Sequence, residues 1–192
     1  MDEGSYRLLV RTAIVLTLLW VGWTIYEGVL EDASPDAQEL AAALRFMEDG
    51  RNQEALDIYQ RLLDESPDNL FALRGKAQAL MQIGERRSAL LIYDDAIRRA
   101  PEAGVTYANR GILKDRMGDY RGALRDYEKA LELEPEVAEG PGFLTRFMRN
   151  QAEKPPSVAD RARYLREQLA KPETERLLSL PEKDEQQRPY KL

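Results

Sequence analysis

The chain has 192 residues, which is room for one modest domain with additions but not for two large enzyme domains. It contains no Cys and no His, which excludes disulfides, thiolate or imidazole metal sites and catalysis by either residue. Its net charge of −6 gives no support for nucleic-acid binding through phosphate contacts.

The first predicted element is an apolar segment near the N-terminus. Residues 12–26 carry no charge, and the apolar stretch extends to Leu8 and Leu30 if one Arg and one Glu reach toward the interfaces. At about 1.5 Å per residue, the longer stretch covers the ~30 Å hydrocarbon core of a bilayer. We therefore predict a transmembrane anchor within residues 1–30. The alternatives are a buried helix and a cleaved signal peptide, but the region around Ala33 lacks the small residues that cleavage requires.

The charges around this segment predict its orientation. Arg7 and Arg11 precede it, whereas the next positive side chain after it is Arg45. By the positive-inside rule, the N-terminus stays cytoplasmic and the following domain is exported, so we expect a single-pass protein of the bacterial inner membrane with a periplasmic domain. Residues 31–35 form a polar linker. Aromatic residues at the C-terminal end of the segment are expected at the membrane interface or against another membrane subunit: Trp20, Trp23 and Tyr26.

The next hundred residues repeat with a period of 34. Five residue types recur in triplicate at that spacing: Gly50, Gly84 and Gly118; Ala55, Ala89 and Ala123; Leu56, Leu90 and Leu124; Tyr59, Tyr93 and Tyr127; Pro67, Pro101 and Pro135. Each unit is typical of a helix, a turn at Gly, a second helix and a stop at Pro, because Pro disfavours helical geometry in the residue before it. Such self-similarity predicts a stacked array of helix pairs.

This pattern resembles the tetratricopeptide repeat. The units are residues 36–69, 70–103 and 104–137. The third unit matches best and reads GVTYANRGILKDRMGDYRGALRDYEKALELEPEV. Small residues such as Gly111 on its first helix face small residues such as Ala123 on the second, which lets the pair approach closely. Polar side chains occupy some positions that are often apolar in the family, which weakens the argument from local packing but not the resemblance: Lys76, Arg110 and Lys114.

The resemblance implies that the first helices of the units line a concave groove. Its inward positions form the predicted partner-binding groove: Leu40, Leu44, Met47, Phe71, Arg74, Gln78, Met81, Asn109, Ile112 and Arg116. Aromatic and Met side chains offer an adaptable apolar surface, and the polar members could hold backbone amides or a carboxylate. The alternative is that the protein's own flanking helices cover these side chains.

One variant of the groove is not expected here. Family members that grip the acidic C-terminal tails of cytosolic chaperones use Lys, Asn and Arg at fixed groove positions. The corresponding positions of this chain carry no charge: Leu40, Leu44, Gly75, Val105 and Asn109. The chaperone-tail clamp is therefore predicted to be absent.

After the third unit the period fails. Residues 138–180 are predicted to form capping and extension helices, because the last apolar face of an array needs a cover. One amphipathic helix is expected at 143–150, and a second is opened by a capping box at Ser157 and runs to Ala170. The polar residues 181–192 are predicted to be disordered alone. The predicted fold is thus all-α, with a transmembrane helix, a three-repeat superhelix, capping helices and a polar tail.

The leading functional hypothesis is a membrane-anchored periplasmic adaptor that binds segments of other envelope proteins as an assembly or scaffolding factor. The alternative is a permanent accessory subunit of an inner-membrane complex, docked through its transmembrane helix and C-terminal extension. No enzyme activity is expected, since the acidic pairs lie on outer helix faces and no base is available to activate a Ser. The expected partners are membrane or periplasmic proteins and the bilayer. No nucleic acid, small-molecule substrate, metal or cofactor is expected.

Overall fold

The computed structural model describes residues 3–30, 35–138 and 157–179, and every regular element in these ranges is helical. The α-helices are α1 (Glu3–Leu30), α2 (Pro35–Glu48), α3 (Asn52–Glu65), α4 (Leu70–Gln82), α5 (Arg86–Arg99), α6 (Gly104–Arg116), α7 (Tyr120–Leu133) and α8 (Val158–Leu169). Short 3-10 helices cover Pro135–Ala138 and Glu173–Glu175. The chain divides into two compact units, Met1–Ala41 and Ala42–Leu192.

Helix α1 corrects the prediction of a membrane anchor. Within the described ranges, no helix combines the length and the apolar character that a membrane crossing requires. The uncharged residues 12–26 rise only about 22 Å at 1.5 Å per residue, against the ~30 Å hydrocarbon core. A longer stretch has to include Arg11 or Glu27. The predicted transmembrane helix is therefore wrong, and so is the predicted single-pass location in the inner membrane with a periplasmic domain.

The membrane-interface roles assigned along α1 are withdrawn with that prediction. Arg7 and Arg11 are exposed, and Trp20 and Trp23 are also largely exposed. The side chain of Tyr26 lies outside the described residues. These residues all lie on the single helix α1.

The period of 34 predicts three helix pairs, α2 with α3, α4 with α5 and α6 with α7; in the structure the last two pairs pack together, and α3 packs on α4. Between the two helices of each pair stands a glycine with positive φ: 75° at Gly50, 91° at Gly84 and 83° at Gly118. An L side chain is disfavoured in that left-handed conformation, so glycine recurs where each first helix stops. Side chains also begin some helices: Asn69 accepts a 3.0 Å bond from Ala72 N, and Asp119 accepts one of 2.9 Å from Gly122 N.

The recurring tyrosines fill the interior of the array. Tyr59, Tyr93 and Tyr127 have no exposed surface. A Cβ placed on Gly111 would stand 2.6 Å from Cε1 of Tyr127, so a glycine is needed for α6 to approach α7. Tyr59 packs in the same way against Gly75, but there the contact joins the first unit to the second. The tyrosines thus bind helices together both within and between units.

Helix α8 covers the end of the third unit. It packs on α7 and on the neighbouring 3-10 helix, and one apolar cluster joins it to α6 and α7: Ala108, Ile112, Ala123, Tyr127, Ala130, Val137, Val158, Ala162 and Leu165. The capping box expected at Ser157 is present, with Ser157 Oγ accepting from Asp160 N at 3.2 Å. The helix expected at 143–150 lies outside the described residues.

A buried ion pair fixes α8 in place. Arg161 donates through Nε and Nη2 to the carboxylate of Asp115, at 2.6 and 2.7 Å, and both side chains are buried. The hydroxyl of Tyr127 donates to the same carboxylate at 3.2 Å. Arg161 also holds the carbonyl of Leu178 at 3.0 Å, so the segment after α8 folds back along the helix. Residues 157–179 therefore pack as part of the same folded domain as the third repeat unit.

Candidate functional site

The most accessible part of the predicted groove lies on α4. The ring of Phe71 is 51% exposed, which is unusual for a large aromatic side chain in a folded domain. The guanidinium of Arg74, one turn further along, stands 4.8 Å from the centre of that ring, within cation–π distance. Gln78 follows one turn later and is half-buried. These three side chains, which we call the stripe on α4, combine one apolar ring with two polar groups.

The guanidinium of Arg74 is held by its own helix. Its Nε donates to the carbonyl of Leu70 at 3.2 Å. Burial lowers the pKa of Arg74, and the negative charge of Glu134 acts in the opposite direction. Because a half-buried cation loses hydration, an incoming acceptor gains more from meeting it than from meeting a fully exposed arginine. The position therefore suits a carbonyl or carboxylate oxygen of a ligand.

The remaining surface positions of the predicted groove are half-buried. Leu40, Leu44 and Met47 on α2 have this degree of exposure, as does Arg116 at the end of α6. The pKa of Arg116 is lowered by burial and by the nearby charge of Arg86, while Tyr127, Tyr93 and Asp115 oppose that shift. Arg86 donates to the main-chain carbonyl of Arg116 at 3.2 Å, which ties the start of α5 to the end of α6.

Three predicted groove residues are buried. Met81 is 4% exposed and belongs to a cluster with Ala77, Ala89, Tyr93 and Leu113. Ile112 has no exposed surface and shares a cluster with residues of α8. Asn109 is also fully buried. These side chains stabilise the stacking of the units, and in this structure no ligand could reach them.

The polar side chains at positions that are often apolar in the family form hydrogen bonds and ion pairs, so they do not weaken the packing of the helices. Arg110 binds the carboxylate of Asp126 at 2.6 and 2.8 Å and that of Asp94 at 2.7 Å. Lys114 adds a 2.8 Å contact to Asp126. One unit earlier, Lys76 bonds to Gln60 in the way that Arg110 bonds to Asp94. The sequence signal for this network was the spacing of 16 residues on either side of Arg110, which places partners on the flanking second helices.

The positions of the chaperone-tail clamp hold no charged side chain in the structure either. Gly75 lies beneath the ring of Tyr59, and Asn109 is enclosed. Val105 is half-buried at the start of α6. These positions therefore provide no cluster of cations.

Two family models describe residues of this array. Both are tetratricopeptide repeat models, and they match residues 46–108 and 105–137. The comparison with curated proteins found no match for this chain. The matching models and structures support neither a membrane anchor nor a bacterial source.

Solved structures with the same fold include three tetratricopeptide domains. The first such domain of Spaghetti (RPAP3), bound to the HSP90 peptide SRMEEVD, is 21% identical with a TM-score of 0.56, covering 73% of this chain and 97% of that one. The first domain of human RPAP3, solved by NMR, is 21% identical with a TM-score of 0.55, covering 70% and 92%. The Sgt2 domain of Aspergillus fumigatus is 20% identical with a TM-score of 0.52, covering 73% and 87%. The all-α array at residues 46–137 therefore consists of tetratricopeptide repeats, as the spacing of 34 predicted.

Proposed function

We propose that this protein is an adaptor that binds an extended or helical segment of a partner protein against the first helices of its repeats. The observation that carries the proposal is the half-exposed ring of Phe71 with Arg74 over its face. Aromatic and Arg side chains are the groups that most often dominate protein interfaces. Binding of this kind serves the assembly or scaffolding of other proteins and requires no catalysis.

The stripe on α4 defines what the partner segment presents. An apolar side chain of the partner packs on the ring of Phe71, and an oxygen one or two residues away accepts from Arg74. Gln78 can both donate to and accept from a main-chain amide. A segment that combines one apolar anchor with an accessible backbone satisfies all three side chains.

The proposed ligand belongs to the same broad class as the one named for a structural neighbour. The first repeat domain of Spaghetti is solved with an HSP90 peptide bound. Here the uncharged clamp positions argue against the acidic tail of a chaperone, because only isolated cations such as Arg74 remain to meet it. We therefore propose a partner segment that is recognised chiefly through an apolar anchor.

The experiment compares capture of partners by three forms of the full chain. The Phe71→Asp variant removes the apolar platform, and Leu177→Asp is the matched control because Leu177 is 65% exposed and lies on the C-terminal segment. Tagged proteins are incubated with lysate of the source cells, and bound proteins are identified by mass spectrometry. We expect specific partners with the wild type and the control, and their loss with Phe71→Asp.

The second stage maps the segment directly. Overlapping peptides of each captured partner are titrated against the full chain by calorimetry, and Arg74→Gln is tested beside Phe71→Asp. A peptide that binds the wild type and weakens with both variants supports the proposal. Equal capture by wild type and Phe71→Asp, at unchanged helical circular dichroism, contradicts it.

A further inference from the structure

A second surface lies on the opposite side of the repeats, on α5 and α7. Arg87 and Leu91 stand one turn apart on α5, and Arg121 and Arg125 occupy the equivalent positions on α7, 34 residues later. All four side chains are exposed, with Leu91 at 68%. We call these four residues the outer arginine face.

The two helices that carry this face are held side by side. Arg110 of α6 binds Asp94 of α5 and Asp126 of α7 through one guanidinium, at 2.7 and 2.6 Å. Leu91 lies one turn before Asp94, and Arg125 adjoins Asp126 in sequence. The shared guanidinium therefore links α5 and α7 close to Leu91 and Arg125.

Folding does not account for these arginines. Among the residues that the structure describes, no carboxylate forms an ion pair with Arg87, Arg121 or Arg125. Arg87 and Arg121 also stand in the first turns of their helices, where the helix dipole disfavours a cation, and the acidic residues at these helix starts are the N-caps Glu85 and Asp119. The same positions of the first unit are neutral or acidic, namely Gln53 and Asp57.

We propose that the outer arginine face binds an acidic segment of a partner protein that carries an apolar residue between its carboxylates. Three guanidiniums can form paired hydrogen bonds with carboxylates, and the exposed Leu91 on the same helix as Arg87 supplies an apolar contact. The three cations of this face attract a segment of negative charge, although the chain as a whole has a net charge of −6. The surface is separate from the stripe on α4, so this partner segment differs from the one proposed above.

The probe for this surface is a synthetic fluorescein-labelled peptide of three Glu-Leu-Glu-Glu units, and its reference is the same peptide with Gln for Glu. Binding to the full chain is measured by fluorescence anisotropy at several salt concentrations. The test variant combines Arg87→Gln, Arg121→Gln and Arg125→Gln. The matched control carries the same charge change at exposed arginines elsewhere, with Arg45→Gln, Arg51→Gln and Arg163→Gln.

We expect the acidic peptide to bind the wild type and to weaken about tenfold with the triple test variant, since charge-assisted pairs are lost. The control variant should bind within about twofold of the wild type, because dispersed surface charges contribute little. Leu91→Ser should weaken binding about threefold, and Phe71→Asp should leave it unchanged. Added salt should weaken the binding that remains, since these charges are exposed.

Several outcomes would overturn the proposal. One is absence of binding to the wild type up to about 1 mM peptide. Another is equal weakening by the test and control variants, which would mean that only total charge matters. Loss of binding with Phe71→Asp but not with the triple variant would place the peptide on α4. Binding of vesicles rich in anionic lipid through these arginines, without competition by the peptide, would identify a lipid surface as the occupant.

Discussion

Arg161 and Asp115 form a bidentate ion pair between residues 46 positions apart, with N–O distances of 2.6 and 2.7 Å and both side chains buried. The pair joins the C-terminal helix α8 to the last turn of α6. At the equivalent position of the second unit stands Met81. Of these two units, only the third therefore has a carboxylate at this position.

Breaking this pair should destabilise the domain strongly. Arg161→Met leaves the Asp115 carboxylate buried without its cation, and we expect a loss of about 3 to 5 kcal/mol in the free energy of unfolding. The double variant Asp115→Met and Arg161→Met should recover at least half of that loss, since it replaces the pair by apolar volume. Urea unfolding followed by circular dichroism measures all three forms. A single variant within about 0.5 kcal/mol of the wild type would contradict the buried pair.

Removing the hydroxyl group from each of two equivalent tyrosines should change the free energy of unfolding in opposite directions. The hydroxyl of Tyr93 is buried and has no hydrogen-bond partner among the described residues, whereas that of Tyr127 donates to Asp115 at 3.2 Å. Tyr93→Phe should therefore raise the free energy of unfolding by about 1 kcal/mol, and Tyr127→Phe should lower it by about the same amount. Denaturant midpoints of the two variants check this. Equal effects of the same sign would show that the difference in hydrogen bonding does not decide their stability.

Gly111 should not tolerate a methyl group. An added Cβ would stand 2.6 Å from Cε1 of Tyr127 and 3.3 Å from the carbonyl oxygen of Ala123, so α6 and α7 must separate. Gly111→Ala should cost about 1 to 3 kcal/mol of stability by overpacking. The control is Gly22→Ala on α1, where a Cβ meets nothing within 4 Å and Ala is the better helix former. Thermal unfolding of both variants tests the contrast, which fails if Gly111→Ala melts at the wild-type temperature.

Alkaline pH should unfold the repeats through their buried tyrosines. Burial raises the pKa of Tyr59 to about 12 and also raises that of Tyr93. A raised folded-state pKa means that the unfolded chain releases these protons first, so stability is full below about pH 10 and falls as pH rises toward 12. Tyr59 alone should account for about 2 to 3 kcal/mol at the upper end.

The check is a series of urea midpoints between pH 9 and pH 12, with Tyr59→Phe as the control. The control cannot lose a proton at that position, so its stability should fall less steeply with pH. Parallel curves for the wild type and Tyr59→Phe would exclude Tyr59 as a cause.

Much of the array could be predicted from the sequence because its signals are local and repeated. The positive φ of Gly84 and Gly118, the capping box at Ser157 and the 34-residue spacing all depend on nearby residues. The apolar segment in α1 led to the wrong prediction of a transmembrane helix, because an uncharged composition alone does not provide the length that is needed to cross a membrane. The sequence left open whether flanking helices cover Asn109 and Ile112, because a helical pattern identifies a face but not the element that covers it; the structure shows both side chains buried. The pairing of Asp115 with Arg161 has no local signature.

The exposed arginines also show what the period could and could not predict. Arg87 and Arg121 are 34 residues apart and occupy equivalent places on successive second helices. Whether such side chains pair with neighbours depends on partners 16 or more residues away, as the contrast between Arg110 and Arg121 illustrates. The spacing of 16 residues identifies candidate partners, and the folded structure shows which of them pair.

The single carboxylate of Asp115 has a consequence for the growth of the array by gene duplication. A copy of the second unit inserted after the third would present Met81 to α8 in place of the acid, and Arg161 would be buried without a counter-ion. A copy inserted before the third unit would leave the terminal pair intact. Duplication is thus tolerated upstream and penalised at the C-terminal end, so one acidic side chain decides at which side this protein can lengthen during evolution.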